Sequence, residues 1–197
     1  MNCLEAQKMI PNMKRVTKTG IEQMDLFTYD FQENRTIYLF DEINSNTARE
    51  IICQLRYLDA VGNGKDITLM INSPGGSVTD GLAIVDCMNA CQSDIKVIAT
   101  AMAASMGAFI LACGTKGKRY ATPNTEIMLH QPLGETRGQA IEIELAAKHI
   151  SRTKERLYTI LAIQTGKTRD VIEKDSDRDY WMTAKEALEY GLIDDIK

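Results

Sequence analysis

The sequence predicts an α/β domain of repeated βαβ units, and three observations carry that prediction. From about Thr36, short β-branched and apolar runs alternate with amphipathic helical runs, a proline-glycine-glycine turn follows one of the strands, and no repeat or linker interrupts the pattern. Parallel strands need a helix's worth of chain between them, so this alternation places helices over a mostly parallel sheet. Size agrees: 197 residues fit one domain, and a chain of that length hides roughly 70% of its extended surface on folding.

Thr36 to Phe40 is the first clear strand. In the helix after it, Thr47 and Glu50 have the spacing of a capping box, and Ile51, Ile52, Leu55 and Leu58 share a face. Ile67 to Ile71 is apolar enough for a buried strand. Asn72-Ser73-Pro74-Gly75-Gly76-Ser77 then turns the chain sharply, because proline sets one φ and the glycines open angles closed to other residues. Thr79 to Cys91 reads as a helix and Val97 to Met102 as a strand, so Ser105 lies just past a strand end, at the start of the apolar helix Met106 to Cys113. Open α/β sheets hold their sites at such ends. Glu126 to Leu129 is a further strand that delivers His130, and Gln139 to Gln164 is a helix too long to lie wholly on a domain this size. A helix that overhangs its own domain meets another subunit, so self-association is expected. Gly166 closes it, Thr168 to Lys174 is a short helix, and Thr183 with Glu186 caps the last one.

Hydrophobic content of 44%, charged content of 25% and a net charge of -4 describe a soluble globular chain without the basic excess of a nucleic-acid surface. The start, Met1-Asn2-Cys3-Leu4-Glu5, lacks the basic residues and apolar run of a secretory signal, and no later stretch is apolar enough to span a bilayer. A cytoplasmic location without membrane contact is expected. There the five cysteines (Cys3, Cys53, Cys87, Cys91 and Cys113) stay reduced. Cys87 and Cys91 are one helical turn apart, but no histidine or second cysteine pair completes a metal site, so they read as small buried residues.

The chain has two histidines, His130 and His149. A serine hydroxyl becomes a nucleophile only when an imidazole takes its proton and a third group orients that imidazole. His130 follows a strand, whereas His149 sits mid-helix between Lys148 and Ile150 and reads as a surface residue. The Gly75-Gly76 turn can point backbone amides outward, and the Met106 amide is free at a helix start. Two such donors aimed at a developing oxyanion are worth about 3 kcal/mol each. For the orienting acid, residue chemistry leaves Asp175, Asp177 and Asp179 equally open within the acidic segment before the last helix. Residue types alone also fit a plainer account, in which Ser105 fills a crowded packing site and Pro74-Gly75-Gly76 is an ordinary strand-to-helix turn.

Four runs, in this order and at these separations, resemble the ClpP family of ATP-dependent serine peptidases: Ile71 to Gly76, Ala103 to Phe109, Leu129 to Gly134, and Asp177-Arg178-Asp179. The likeness extends from about Ile10 to Ile196. It implies a ClpP/crotonase-like fold with a long protruding helix, an N-terminal segment over 1–25 with a short propeptide before about Lys8 and an axial-pore region, and a peptidase domain over 26–197. By position it makes Ser105 the nucleophile, His130 the general base, Asp179 the orienting acid, and the amides of Gly76 and Met106 the oxyanion hole. The backbone at Ser77 and Val78 and the segment Leu133-Gly134 become the edges that hold an extended peptide as an added strand. Asp177 and Arg178 resemble ring-contact residues, with Gln139 and Glu142 as their partners across the interface. The family assembles as two stacked heptameric rings, and an AAA+ ATPase of the ClpX, ClpC or ClpA type feeds it unfolded proteins. ATP is used by that partner, so the resemblance implies no cofactor or metal in this subunit, and the sequence shows no P-loop.

The chain departs from the family in three places. Ala101-Met102 stands where Gly-Gln is usual, Thr68 and Met70 replace aromatic residues of the region that docks the ATPase, and Asn12-Met13-Lys14-Arg15 replaces an apolar run after Pro11. Such changes suit a divergent paralogue, so a partner subunit in a mixed ring with a second ClpP paralogue is the alternative to a self-compartmentalising endopeptidase. A crotonase-type acyl-CoA enzyme, which also holds an oxyanion with glycine-turn amides, is a third reading.

Overall fold

A computed structural model describes residues 11–17, 20–134 and 137–197. The chain divides between Thr36 and Ile37 into two units. In the first, β1 (Asn12–Thr17) pairs antiparallel with β2 (Gly20–Asp25), and α1 (Leu26–Glu33) follows. Asp25 caps that helix: its carboxylate accepts from the Thr28 amide at 2.8 Å and the Thr28 hydroxyl at 2.7 Å, and these bonds hold it below its usual pKa. Arg15 pairs with Glu33. The segment before Lys8 lies outside the described residues.

From Ile37 on, the second unit carries all but the first residue of β3 (Thr36–Leu39), then α2 (Ser45–Gly62), β4 (Ile67–Ser73), α3 (Val78–Ala90), β5 (Ile95–Ala104) and α4 (Met106–Ala112). It continues through β6 (Arg119–Ala121), β7 (Glu126–Leu129), α5 (Ala140–Thr165), α6 (Arg169–Asp175), β8 (Tyr180–Thr183), α7 (Ala184–Tyr190) and β9 (Asp195–Ile196). The strands form one sheet in the order β3-β4-β5-β6-β9, with β7 on β5 and β8 on β7. β4-β5, β5-β6, β5-β7 and β6-β9 run parallel, while β7-β8 is antiparallel. The α/β, mostly parallel architecture expected from the sequence is therefore present. Its core includes Ile67, Leu69 and Ile71 of β4 and every residue of α4. No described helix is long and apolar enough to cross a membrane.

One cap differs from expectation. α2 starts at Ser45 because Asn44, extended at φ -145°, accepts from the amides of Asn46 and Thr47, while the Thr47 hydroxyl accepts from the Asn44 amide. Thr47 closes that box from inside the helix, and Glu50 has no part in it. The Thr183–Glu186 box is present as expected. Gln139 and Glu142, expected at a ring contact, form the capping box of α5: the Gln139 amide donates to Glu142 Oε2 at 2.8 Å. The buried residues of α5 all lie near its C-terminal end, at Leu157, Tyr158 and Leu161. Ile141, Ile143 and Leu145 near its start remain 58%, 44% and 59% exposed.

β5 is broken in the middle. Ile71 faces Ala99 and Ser73 faces Ala103, so two steps of β4 are matched by four of β5. The extra residues include Ala101 at φ 60°, a left-handed angle that costs a residue with a Cβ about 1 kcal/mol. The break lets one strand serve two neighbours, β6 along Val97–Ala99 and β7 along Met102–Ala104. It falls where the resembled family usually has glycine.

At the other end of the sheet, Arg119 is 2% exposed and fully paired. Its Nε and Nη2 donate to the two oxygens of Asp194 at 2.9 and 2.6 Å, and Nη1 donates to the carbonyls of Ala112 and Gln164 at 3.3 and 3.0 Å. The ends of α4 and α5 and the approach to β9 thus meet on one guanidinium. Burial alone would raise the Asp194 pKa, but bonds from the Arg119 side chain and backbone, with the Arg119 charge, hold it below the usual value.

Two outcomes are expected. Ala101→Gly relieves the left-handed angle and raises stability by about 1 kcal/mol, read as a higher thermal midpoint. Asp194→Asn strands a buried guanidinium and costs about 3 kcal/mol at neutral pH. Because the folded pKa of Asp194 is depressed, its contribution is present above about pH 4 and is lost as pH falls through the folded value. Acid titration of wild type against variant measures that convergence.

Candidate active site

Ser105 occupies the single residue between β5 and α4, at φ 53° and ψ -120°. Few residues with a side chain adopt this conformation, and here neighbours impose it. The Ser105 amide donates to the Met128 carbonyl at 2.8 Å, and its carbonyl accepts from Phe109 at 3.0 Å as the first turn of α4 closes. Gly75 presses on the same turn: a Cβ there would lie 2.7 Å from the Ala104 carbonyl oxygen and from the Ser105 Cβ. The tight turn leaves the hydroxyl at the open end of the sheet.

Strand register supplies the neighbours. Ala104 pairs with Met128, so Ser105 lies one residue past the pair and His130 two. His130 Nε2 is 2.8 Å from Ser105 Oγ. Leu129 pairs with Tyr180 in the antiparallel β7-β8 ladder, so the next residues along it are His130 and Asp179, and Asp179 Oδ1 is 3.2 Å from His130 Nδ1. The other two aspartates are engaged elsewhere: Asp175 accepts from the Tyr190 hydroxyl at 3.0 Å, and the Asp177 carbonyl accepts from Gln131 Nε2 at 3.0 Å. With a carboxylate on Nδ1, the neutral imidazole keeps its proton there and offers Nε2 to the serine hydroxyl. The His130 side chain is 19% exposed and that of Asp179 63%. His149 is exposed on α5, with Nδ1 at 3.2 Å from Arg152 Nη2.

The glycine turn is clamped to Ile43. The Ile43 amide donates to the Gly75 carbonyl at 2.7 Å, and the Ser77 amide donates to the Ile43 carbonyl at 2.8 Å. Gly76, at φ 141°, lies so close that a Cβ would meet the Ile43 carbonyl oxygen at 2.2 Å. The Gly76 and Met106 amides have no acceptor among the described residues. Buried Ser73 braces the turn from below, accepting from the Gly75 amide at 3.1 Å and donating to the Asp41 carbonyl at 2.7 Å. Ile43 and Ser73 escape sequence reading. Ile43 bonds to Gly75 and Ser77, and Ser73 to the Asp41 carbonyl, across more than thirty residues of chain, and no side-chain pattern announces those bonds.

A cleft of about 490 Å³ runs past these groups, between Pro74 to Val78 on one side and His130, Pro132 and Leu133 on the other. Ser77 lines it with its polar groups already used, since its amide goes to Ile43 and its hydroxyl caps α3 at Asp80. Gly134 stands outside the lining, packed so tightly on α5 that a Cβ would meet Ile150 Cδ1 at 2.5 Å. Arg178 is 93% exposed, with Nε 3.9 Å from Asp177 Oδ2. Cys91 and Cys113 are held as neutral thiols, burial pushing them up to about 11 and about 12. No group of three or more histidine, cysteine and acidic side chains suited to a metal ion occurs among the described residues.

A family model described as Clp protease matches residues 19–197.

Gly75→Ala pushes the Ser105 turn out of place. Labelling of Ser105 by a fluorophosphonate is expected to slow by about 10²-fold, a loss comparable to that of an oxyanion donor. Circular dichroism, reporting a folded chain, separates this displacement from unfolding.

Proposed function

The chain belongs to the Clp protease family, and from that premise we propose that it is a serine endopeptidase acting through Ser105, His130 and Asp179 on unfolded proteins. The observation that carries the reading is the run of contacts from Asp179 Oδ1 to His130 Nδ1 at 3.2 Å and from His130 Nε2 to Ser105 Oγ at 2.8 Å, at the floor of an open cleft. His130 takes the hydroxyl proton as Ser105 Oγ attacks the peptide carbonyl, and the amides of Gly76 and Met106 receive the negative oxygen. The protonated imidazole, steadied by Asp179, then gives its proton to the departing amine. Water, activated by the same histidine, hydrolyses the acyl-enzyme. None of these steps uses a metal or nucleotide in this chain.

The substrate lies extended in the cleft between Val78 and Leu133, held mainly through its own backbone, which favours broad sequence tolerance. In this reading the subunits form two stacked heptameric rings in the cytoplasm, and an AAA+ Clp ATPase unfolds the substrate and uses the ATP. Asp179 supports a link between assembly and activity, because its side chain is 63% exposed and neighbours Asp177 and the 93% exposed Arg178. Burying that segment in a ring contact with Gln139 and Glu142 of a neighbouring copy would shield the pair with His130 from solvent.

A second reading, a partner subunit in a mixed ring, draws on the left-handed Ala101 and on Thr68 and Met70 in β4. Peptidase assays of the pure oligomer beside mixed assemblies distinguish the two. An inactive pure oligomer favours the partner role. For the main reading, a fluorophosphonate modifies Ser105 in assembled protein, and Ser105→Ala lowers kcat on the order of 10⁶-fold. Asp179→Asn is expected to lower it by about 10⁴-fold, with the assembly mass by native mass spectrometry unchanged in both variants. Peptide cleavage that survives Ser105→Ala rules the reading out. Calorimetric binding of a CoA thioester would favour instead a crotonase-type acyl-CoA enzyme, whose chemistry does not need that serine.

A further inference from the structure

A small cavity of about 30 Å³ opens off the cleft beneath Ser105, and Val78, Ser105, His130 and Pro132 line both. Its inner wall is apolar, built from Met106 and Phe109 of α4 and Leu157 and Leu161 of α5, except at Tyr158. Tyr158 is 1% exposed, and its hydroxyl is buried without a hydrogen-bond partner among the described residues. Buried hydroxyls are nearly always paired, because leaving one unpaired forfeits the hydrogen bonds it made to water. An unpaired one beside a cavity that opens toward a nucleophile points to a missing partner.

We propose that Tyr158 makes this cavity a selective pocket for substrate side chains that end in a hydrogen-bonding group, at the residue whose carbonyl is attacked. The inference rests on the peptidase reading above. An entering carbonyl or hydroxyl gives the Tyr158 hydroxyl the partner it lacks, whereas an isosteric hydrocarbon fills the same space and leaves it unpaired. Burial raises the phenol pKa, only partly opposed by the Lys154 charge, so the group is neutral and both donates and accepts. The ring is held from outside the cavity, with Lys154 Nζ 5.3 Å and Arg169 Cζ 6.0 Å from its centroid. A space of this size takes one water or the tip of a side chain.

The test uses two fluorogenic peptides that differ only before the scissile bond, with asparagine in one and the near-isosteric leucine in the other. Assembled wild type and Tyr158→Phe are compared by the ratio of their kcat/KM values. Removing the hydroxyl is expected to lower the asparagine-to-leucine ratio about tenfold, the usual scale for a buried polar group that recognises its substrate. A ratio that stays unchanged while the leucine peptide is cleaved overturns this inference alone, with the hydroxyl satisfied by a buried water. If wild type cleaves neither peptide and a fluorophosphonate leaves Ser105 unmodified, the peptidase reading falls and takes the inference with it. Should Tyr158→Phe fail to assemble, wild type with a glutamine and methionine pair carries the test. Preference for glutamine supports the proposal, and preference for methionine overturns it.

Discussion

The close approach of the Gly75 backbone to the Ser105 turn is the constraint on which the site depends. A Cβ at Gly75 would fall 2.7 Å from both the Ala104 carbonyl oxygen and the Ser105 Cβ, so the glycine turn and the strand end fit only without a side chain between them. That contact keeps Ser105 at φ 53°, at the start of α4. Ile43 through its backbone and Ser73 through its hydroxyl hold the turn in place. The strain at Ser105 is sustained because several rigid elements determine it together.

Register does the rest. A parallel pair, Ala104 with Met128, and an antiparallel pair, Leu129 with Tyr180, set three strand ends side by side, and Ser105, His130 and Asp179 are the residues that continue from them. The break in β5 at Ala101 belongs to the same arrangement, since it lets one strand pair with β6 and then with β7. A glycine would hold that angle at lower cost, so this chain carries strain in its scaffold as well as at its nucleophile. Arg119 closes the far end by binding two carbonyls and Asp194, a pairing that needs a planar fork and that lysine would not reproduce.

Much of the fold was legible because its longer elements carry strong periodicity. The strands Ile67–Ser73 and Ile95–Ala104 and the helix Ala140–Thr165 differ from their expected bounds by a few residues at either end. What was missed has a physical cause. β6 and β9 have three and two residues, too few to show alternation, and they exist because β5 and then β6 offer an edge. β8 begins where an acidic segment ends, and polar composition hid it. At α2, both Asn44 and Thr47 have side chains able to cap, and only the backbone angles show that Asn44 is the cap while Thr47 completes the box from within the helix.

The amino-acid sequence by itself determined the α/β class, the serine at a strand end, one histidine in a position to serve it, and a glycine turn able to present amides. It also marked the family, through four ordered runs of residues. Physical reading of the sequence left the three aspartates equal, and resemblance alone singled out Asp179. Only the tertiary structure decided that Asp179 reaches the imidazole, because the β7-β8 register puts it opposite His130 and gives Asp175 and Asp177 other partners. It also decided that Gly134 packs closely on Ile150 of α5, and that Tyr158 is buried and lines a cavity with the nucleophile. These are relations between residues far apart in the chain, set by strand pairing and packing, and no local pattern encodes them.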